Sequence, residues 1–538
     1  MAKGYRPVDR DQPFLLPPDM REWLPPDHPV WLVIRVVEQH LDTSAFHAGR
    51  KAGGAGAAGY DPDMLLAVLV WAYANGVTSS RRMEQLCATD VAFRVICAGN
   101  LPDHATIARF RAGFAGAVPV FFGEVLRLCA RLGMGRLGTV ALDGMKIAAS
   151  ASKSANRSGD KLDRLARDIV ARHAEADAAE DELFGGGVRG DEVPEEAWRP
   201  RSRDERIAAA LAGLRAEQEA AEKAEQAKAE QFRARQRAGR RTGPHPVSAV
   251  VALAEENLAR ARAARAAQIA ELERRAGSRR DRPRAGIEDY CRVKEAAAKV
   301  DKARARAAEA ARRAAGRDKA RKGPGPVRNI TDPDSRLMPV RGGFIQGYNA
   351  QNVTSEDGLI IATELTCETT DAPWFGPMMR AAGDAAVLVG AHCPAAGPGQ
   401  DPGGGGRIGL VLADAGYCSE DNLTSAGPDR LIATGRARDL EKAARGQERP
   451  GREPAGSATQ AMRERLKTED GITAYRQRGH IAETPHGHIK HNMGFRQLSM
   501  RGKRSTSAEW TFVCAIYNLF KALTAGCLTS QALAALAG

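Results

Sequence analysis

The spacing of apolar residues along the chain changes several times. Up to about residue 135 it is helical. DPDMLLAVLVWAYANG (61–76) opens on an acidic cap, carries a broad apolar face and stops at Gly76. Ser79–Cys87 and Asp90–Cys97 predict two short helices. PDHATIARFRAGF (102–114) predicts a turn and then a helix exposing Arg109 and Arg111. At Gly138 the period shortens. GTVALDGMKIAAS reads as a strand, a tight break at Asp143-Gly144, and a second strand. From about 156 to 328 the chain turns to Ala, Arg, Glu, Lys and Gln, strong helix formers with an alanine stripe and no sustained Leu or Ile heptads. Gly186-Gly187, Gly243-Pro244 and Gly323–Pro326 break it into pieces. A helical hairpin or antiparallel coiled coil, solvated on its outer face, is expected there. Strand grammar returns at Arg341. GGFIQGYNAQNVTSEDGLIIATELT gives two β runs joined at Glu356-Asp357-Gly358. A helix over Trp374–Ala382, a glycine-rich loop over Pro398–Gly406 and a buried strand over Ile408–Leu412 follow. That strand ends at Asp414 and leads into a helix capped by Ser419. A short strand, Asp429–Gly435, and an apolar helix, Glu509–Leu523, complete the series.

At 538 residues the chain is long enough for several domains. The expected division is a helical DNA-binding domain at 1–135 and a catalytic core at 136–158 and 328–525. A charged helical insertion occupies 159–327, and a tail 526–538. No apolar run reaches the roughly 18–20 residues that span a bilayer, and the N-terminal stretch lacks a signal peptide's apolar region. Both predict a cytoplasmic protein with no membrane partner. The net charge of +13 suits a polyanion such as nucleic acid. Nine cysteines without a C-x2-C pair predict reduced thiols rather than a zinc or disulfide framework.

Three carboxylates carry the candidate chemistry. Asp143 and Asp414 stand at the ends of apolar strands, where one sheet can bring remote positions together. Glu483 lies in ITAYRQRGHIAETPHGHIKHNMGF, a lone acid among bases. Three converging acids repel one another unless a hard cation joins them, and Mg2+ prefers such oxygens. Two ions about 3.5–4 Å apart can act on a phosphodiester. Arg476, Glu483 and Lys490 are spaced by sevens, one face of a continuous helix. Tyr475 and Arg478 add a hydroxyl and a phosphate clamp. Pro485 and Gly487 predict that the helix starts or kinks there. His480, His486, His488 and His491 split between helix faces, which disfavours zinc. Glu509, beside Trp510 and Phe512, reads as a structural helix start. Asp332 and Asp334 read as turn residues.

In this order and strand context the motifs resemble those of DDE transposases of bacterial insertion sequences. The branch is the one whose third acid lies in a Y-x2-R-…-E-x6-K box, here Tyr475, Arg478, Glu483 and Lys490. ALDGMKIAASASKSANRS resembles the first-Asp segment and LADAGY the second. RLMPVRGGFIQGYNAQ, AEWTFVCAIYNLFK and the helical stretch FLLPPDMREWLPPDH…DHATIARFR resemble further segments. The resemblance implies a ribonuclease-H-like mixed sheet, with Asp143, Asp414 and Glu483 as catalytic acids holding Mg2+ or Mn2+, two ions. It implies DNA contacts from Tyr475, Arg478 and Lys490. The Arg476 contact follows from helical spacing, and those of Arg109 and Arg111 from the N-terminal helix. Double-stranded DNA, as terminal inverted repeats and as target, is the implied partner of a nucleoid-associated homodimer. The rival expectations are a metal-dependent DNA nuclease of the same fold and an inactive protein that binds terminal repeats.

Overall fold

The computed structural model describes residues 19–48, 59–169, 171, 202–237, 247–275, 286–320, 327–393, 406–435 and 456–537. The breaks at Gly186, Gly243 and Gly323–Pro326, and nearly all of the 398–406 loop, lie outside these residues. Two compact units emerge. One comprises described residues of Met1–Ala155 and Thr331–Gly538, the other those of Asn156–Val188 and Ser202–Ile330.

The first unit begins with helices α1 (Pro29–Gln39), α2 (Ser44–His47), α3 (Pro62–Ala74), α4 (Ser80–Thr89), α5 (Val91–Ile96), α6 (His104–Gly113) and α7 (Val118–Arg131). Asp61, Ser79, Asp90 and Asp103 cap α3, α4, α5 and α6 through side-chain oxygens on free N–H groups. α3 is apolar nearly all round, so it lies buried. The long helix Lys503–Thr524 packs on α3 and α7 and on the sheet. Around Phe512 the rings of Phe114, Phe121 and Tyr73 stand 5.2, 5.4 and 5.5 Å away. Residues assigned separately to a helical region and a catalytic core thus share one hydrophobic core. The tail ends in a helix, Ser530–Ala537, that buries Leu533 in that core.

The sheet contains β1 (Thr139–Ala148), β4 (Arg336–Val340), β5 (Gly343–Ser355), β6 (Ile360–Thr366), β7 (Leu410–Ala413) and β8 (Asp429–Ile432), in the order β4-β5-β1-β7-β8, with β6 also on β5. β1 runs antiparallel to β5 and parallel to β7, and β8 continues parallel to β7. The hairpin expected at Asp143-Gly144 is not formed. β1 is one ten-residue strand whose rungs to β5 run unbroken through Asp143↔Asn352 and Gly144↔Gln351. Asp-Gly favours a turn locally, but a long antiparallel partner holds it extended. The helix expected at Trp374–Ala382 runs Phe375–His392. Asp332 is more than a turn residue. It is buried and accepts from Tyr348 Oη and Gly502 N.

The second unit is mostly helical. Arg203–Arg237, Val247–Arg275 and Cys291–Ala320 are long helices. The last two pair antiparallel: Arg304 meets Glu255 at 2.7 Å, and Arg265 lies 4.4 Å over the Tyr290 ring. β2 (Asn156–Ser158) pairs antiparallel with β3 (Val327–Asn329), so the first and last strands of the unit lie side by side. Among the described residues, no single helix is long and apolar enough to cross a membrane.

Candidate active site

Asp143 projects from the middle of β1, and Asp414 stands directly after β7. The third acid needs a helical irregularity. Glu469–Arg478 is α-helical, Gly479–Glu483 forms one π turn, and Thr484–His491 resumes the α-helix with Pro485 in its first turn. The proline has no N–H to give and is accepted where the ladder is already broken. A π turn stacks residues about five apart. Arg478 therefore lies over Glu483, and the continuous face expected for Arg476, Glu483 and Lys490 is interrupted.

The Arg478 guanidinium ties the three acids together. One terminal nitrogen lies 3.4 Å from Asp143 Oδ1 and 3.9 Å from Asp414 Oδ2; the other lies 3.5 Å from Glu483 Oε1. The side chains grade outward: Arg478 and Asp143 are each 15% exposed, Asp414 42% and Glu483 69%.

Burial pushes the Asp143 carboxyl up, but His486, Arg478 and the Gly144 N–H outweigh it and hold the group below its ordinary value. Asp414 goes the other way. Burial raises it first and the charge of Asp143 second, against Arg478 and the Gly416 N–H. The cluster has more negative charge than one guanidinium compensates, and its donors are oxygens, the set a hard divalent cation prefers.

A relay absent from the expectations orients Asp143. Thr363 Oγ1 donates to Asn352 Oδ1 at 2.6 Å, which turns the amide nitrogen to His486 Nε2 at 3.1 Å. That leaves the ring proton on Nδ1, which faces Asp143 Oδ2 at 3.5 Å. The three buried amides Asn349, Gln351 and Asn352 in GYNAQN were the signal in the sequence. The other histidines do not converge: His488 packs edge-on to Tyr517, His491 meets Arg496, and His480 is exposed.

The remaining expected DNA contacts divide. Lys490 is half-buried, which lowers its ammonium against the opposing pull of Asp143. Tyr475 directs its hydroxyl to Ala413 O, 3.2 Å away, at the end of β7. Arg476 and Arg109 are exposed. Arg111 is not the free cation expected, because it donates to Thr78 O and Tyr73 Oη. Glu509 is buried as a structural acid, accepting from Tyr73 Oη at 2.8 Å, Ser499 N at 2.9 Å and Met500 N at 3.0 Å. A separate group, His47, Asp61 and Asp63, is already engaged: Asp61 caps α3 and His47 pairs with Asp63 at 3.0 Å.

Two parts of the chain match known family models. Residues 18–113 match a transposase domain (DUF772) and residues 441–523 a transposase DDE domain. The second span carries Tyr475, Arg478, Glu483 and Lys490, whereas Asp143 and Asp414 lie outside both. No curated protein and no solved structure matches the chain.

Proposed function

We propose, on the two transposase-domain matches, that this DDE transposase of an insertion sequence acts on DNA, hydrolysing phosphodiesters at the transposon ends and joining the freed ends to target DNA. The catalytic acids in this reading are Asp143, Asp414 and Glu483, on a ribonuclease-H-like sheet. The observation that carries it is the guanidinium within 4 Å of all three, which draws residues from three distant parts of the chain to one point.

The same three acids would hold Mg2+ or Mn2+, as two ions. Bound there, the cation supplies an activated water and charge stabilisation for the leaving oxygen. The protein's own residues do the rest. The relay through Asn352 and His486 fixes the rotamer of Asp143. Tyr475 holds the backbone just before Asp414. Arg478, with two terminal nitrogens on one rigid plane, can exchange carboxylate oxygens for the non-bridging oxygens of a scissile phosphate. Lys490 keeps a half-buried positive charge on the same side. Arg476, and Arg109 on α6, would meet the phosphates further out. Two ends must be joined in one event, so the active form is a homodimer on DNA.

The test is strand cleavage of duplexes carrying the terminal sequences that flank the gene, with full-length protein and Mg2+. Parent protein should nick the end. Asp143→Ala, Asp414→Ala and Glu483→Ala should not, while still shifting the duplex in a gel. Parent-level cleavage by any one of them removes that acid from the site.

A further inference from the structure

The ladder that joins the strands of Asp143 and Asp414 stops one rung short of both. β1 and β7 pair from Thr139↔Leu410 to Leu142↔Ala413. Beyond that rung β1 runs on to Ala148 with β5 as its ladder partner, while Asp414 turns into the 3₁₀ segment Ala415–Tyr417. β1–β7 hydrogen bonds alone therefore do not set the spacing of the two carboxylates.

A polar cluster on the opposite face bridges the gap. Alternation along the strands places Gly144 and Lys146, with Asn349 and Gln351 on β5, away from Asp143. Asp371 closes over them. It precedes the short 3₁₀ turn Ala372–Trp374, yet its side chain makes no cap bond there. Instead its Oδ1 accepts from Lys146 Nζ at 3.1 Å, Asn349 Nδ2 at 2.7 Å and Gln351 Nε2 at 2.8 Å. A Cβ at Gly144 would stand 2.7 Å from both Asp371 Oδ1 and Gln351 Nε2. A Cβ at Gly416 would stand 3.0 Å from Asp414 Oδ1 and 3.1 Å from Asp371 Oδ2. The glycines that follow each acid thus keep open the space this carboxylate needs. Gln351, its N–H committed to Asp371, presents Oε1 to the buried Tyr417 hydroxyl, which donates to it. Asn422 Nδ2 donates to both Ala372 O and Tyr417 O at 2.8 Å, tying the Asp371 turn to the Asp414 turn.

We propose that Asp371 is a positioning residue that sets the spacing of Asp143 and Asp414 through Gln351 and Tyr417. The inference rests on the reading of those two acids as joint ligands of a divalent cation. Lys146 offsets the charge of Asp371, so its part is that of a fixed acceptor. An amide oxygen in the same place can still serve Asn349 and Gln351.

The experiment is a Mn2+ titration of the full-length protein, followed by the paramagnetic resonance of free Mn2+, with thermal melting of each variant. Asp371→Ala should weaken Mn2+ binding by about 10-fold or more, the range found when outer-shell partners are removed. Asp371→Asn should restore most of it. Tyr417→Phe, which removes the one hydroxyl that donates to Gln351 Oε1, should also weaken Mn2+. Combining it with Asp371→Ala should add little further loss. Parent-like affinity in a folded Asp371→Ala protein overturns the inference. So does loss in Asp371→Ala with none in Tyr417→Phe, which would make Asp371 a direct ligand. Should Asp371→Ala not fold, Tyr417→Phe decides alone. Asp414→Asn separates the two levels. If it keeps parent affinity, the joint-ligand reading falls and takes this inference with it. If it loses Mn2+ while Asp371→Ala does not, the inference alone falls.

Discussion

Glu483 and Glu509 lie on neighbouring parts of the chain, and their surroundings are opposites. Glu509 is buried, with a phenol, a serine hydroxyl and two backbone N–H groups on its two oxygens. Glu483 is mostly exposed, with Arg478 at 3.5 Å. A carboxylate whose lone pairs are filled has nothing left for a ligand, and its energy is spent on the fold. An acid left half-satisfied beside two others gains by meeting a cation. Occupancy of the oxygens, more than rank in a motif, separates the two roles.

That contrast breaks most readily through stability. Glu509→Ala should cost about 3–5 kcal/mol, because it strands the buried Tyr73 hydroxyl and the half-buried donors of Ser499 and Met500. Glu483→Ala should cost under about 0.5 kcal/mol, as an exposed substitution does. Urea unfolding measures both, and equal losses would erase the distinction. Next in size is Arg478→Ala. It leaves Asp143 and Asp414 facing each other and should cost about 1–3 kcal/mol. Added Mn2+ should recover part of the loss in the melting temperature. If added Mn2+ recovers nothing, the guanidinium and the cation do not share partners.

Tyr475→Phe sharpens the picture at a smaller scale. It removes the hydrogen bond to Ala413 O and should cost about 1 kcal/mol with DNA affinity unchanged. A drop in DNA binding at parent stability would instead give the hydroxyl to DNA. The smallest effect is a pH dependence at Asp332. Burial raises its carboxyl, against the Tyr348 O–H and the Gly502 N–H. A raised acid binds its proton more tightly in the folded state. Its contribution is present below the ordinary value of about 4 and fades as pH rises through the folded value. Relative to Asp332→Asn, the parent should therefore lose melting temperature between acid and neutral pH, and a flat difference would refute this.

Much of the fold was legible because its signals are local. Asp61, Ser79, Asp90 and Asp103 announce helix starts within a few residues. The strand-end position of Asp414 follows from an apolar run on one side and a change of texture on the other, whereas Asp143, expected at a strand end, lies inside β1. Gly144 misled for the opposite reason. Its neighbours say turn, while its space is taken by Asp371 and Gln351, and only tertiary structure brings Asp371 there. Arg111 looked free because Thr78 and Tyr73 are invisible from its own helix. Asp371 itself sits among TTDAPW, where nothing local sets it apart from a loop aspartate.

The pairing of Asn156 with Asn329 at the base of the second unit has a consequence for variation in length. Entry and exit are already neighbours, so the chain between them closes on itself. The entropic cost of closing such a loop grows only logarithmically with its length. Residues can be added or deleted far from that base while its two ends keep their places, which makes this region a tolerant point for grafting foreign sequence.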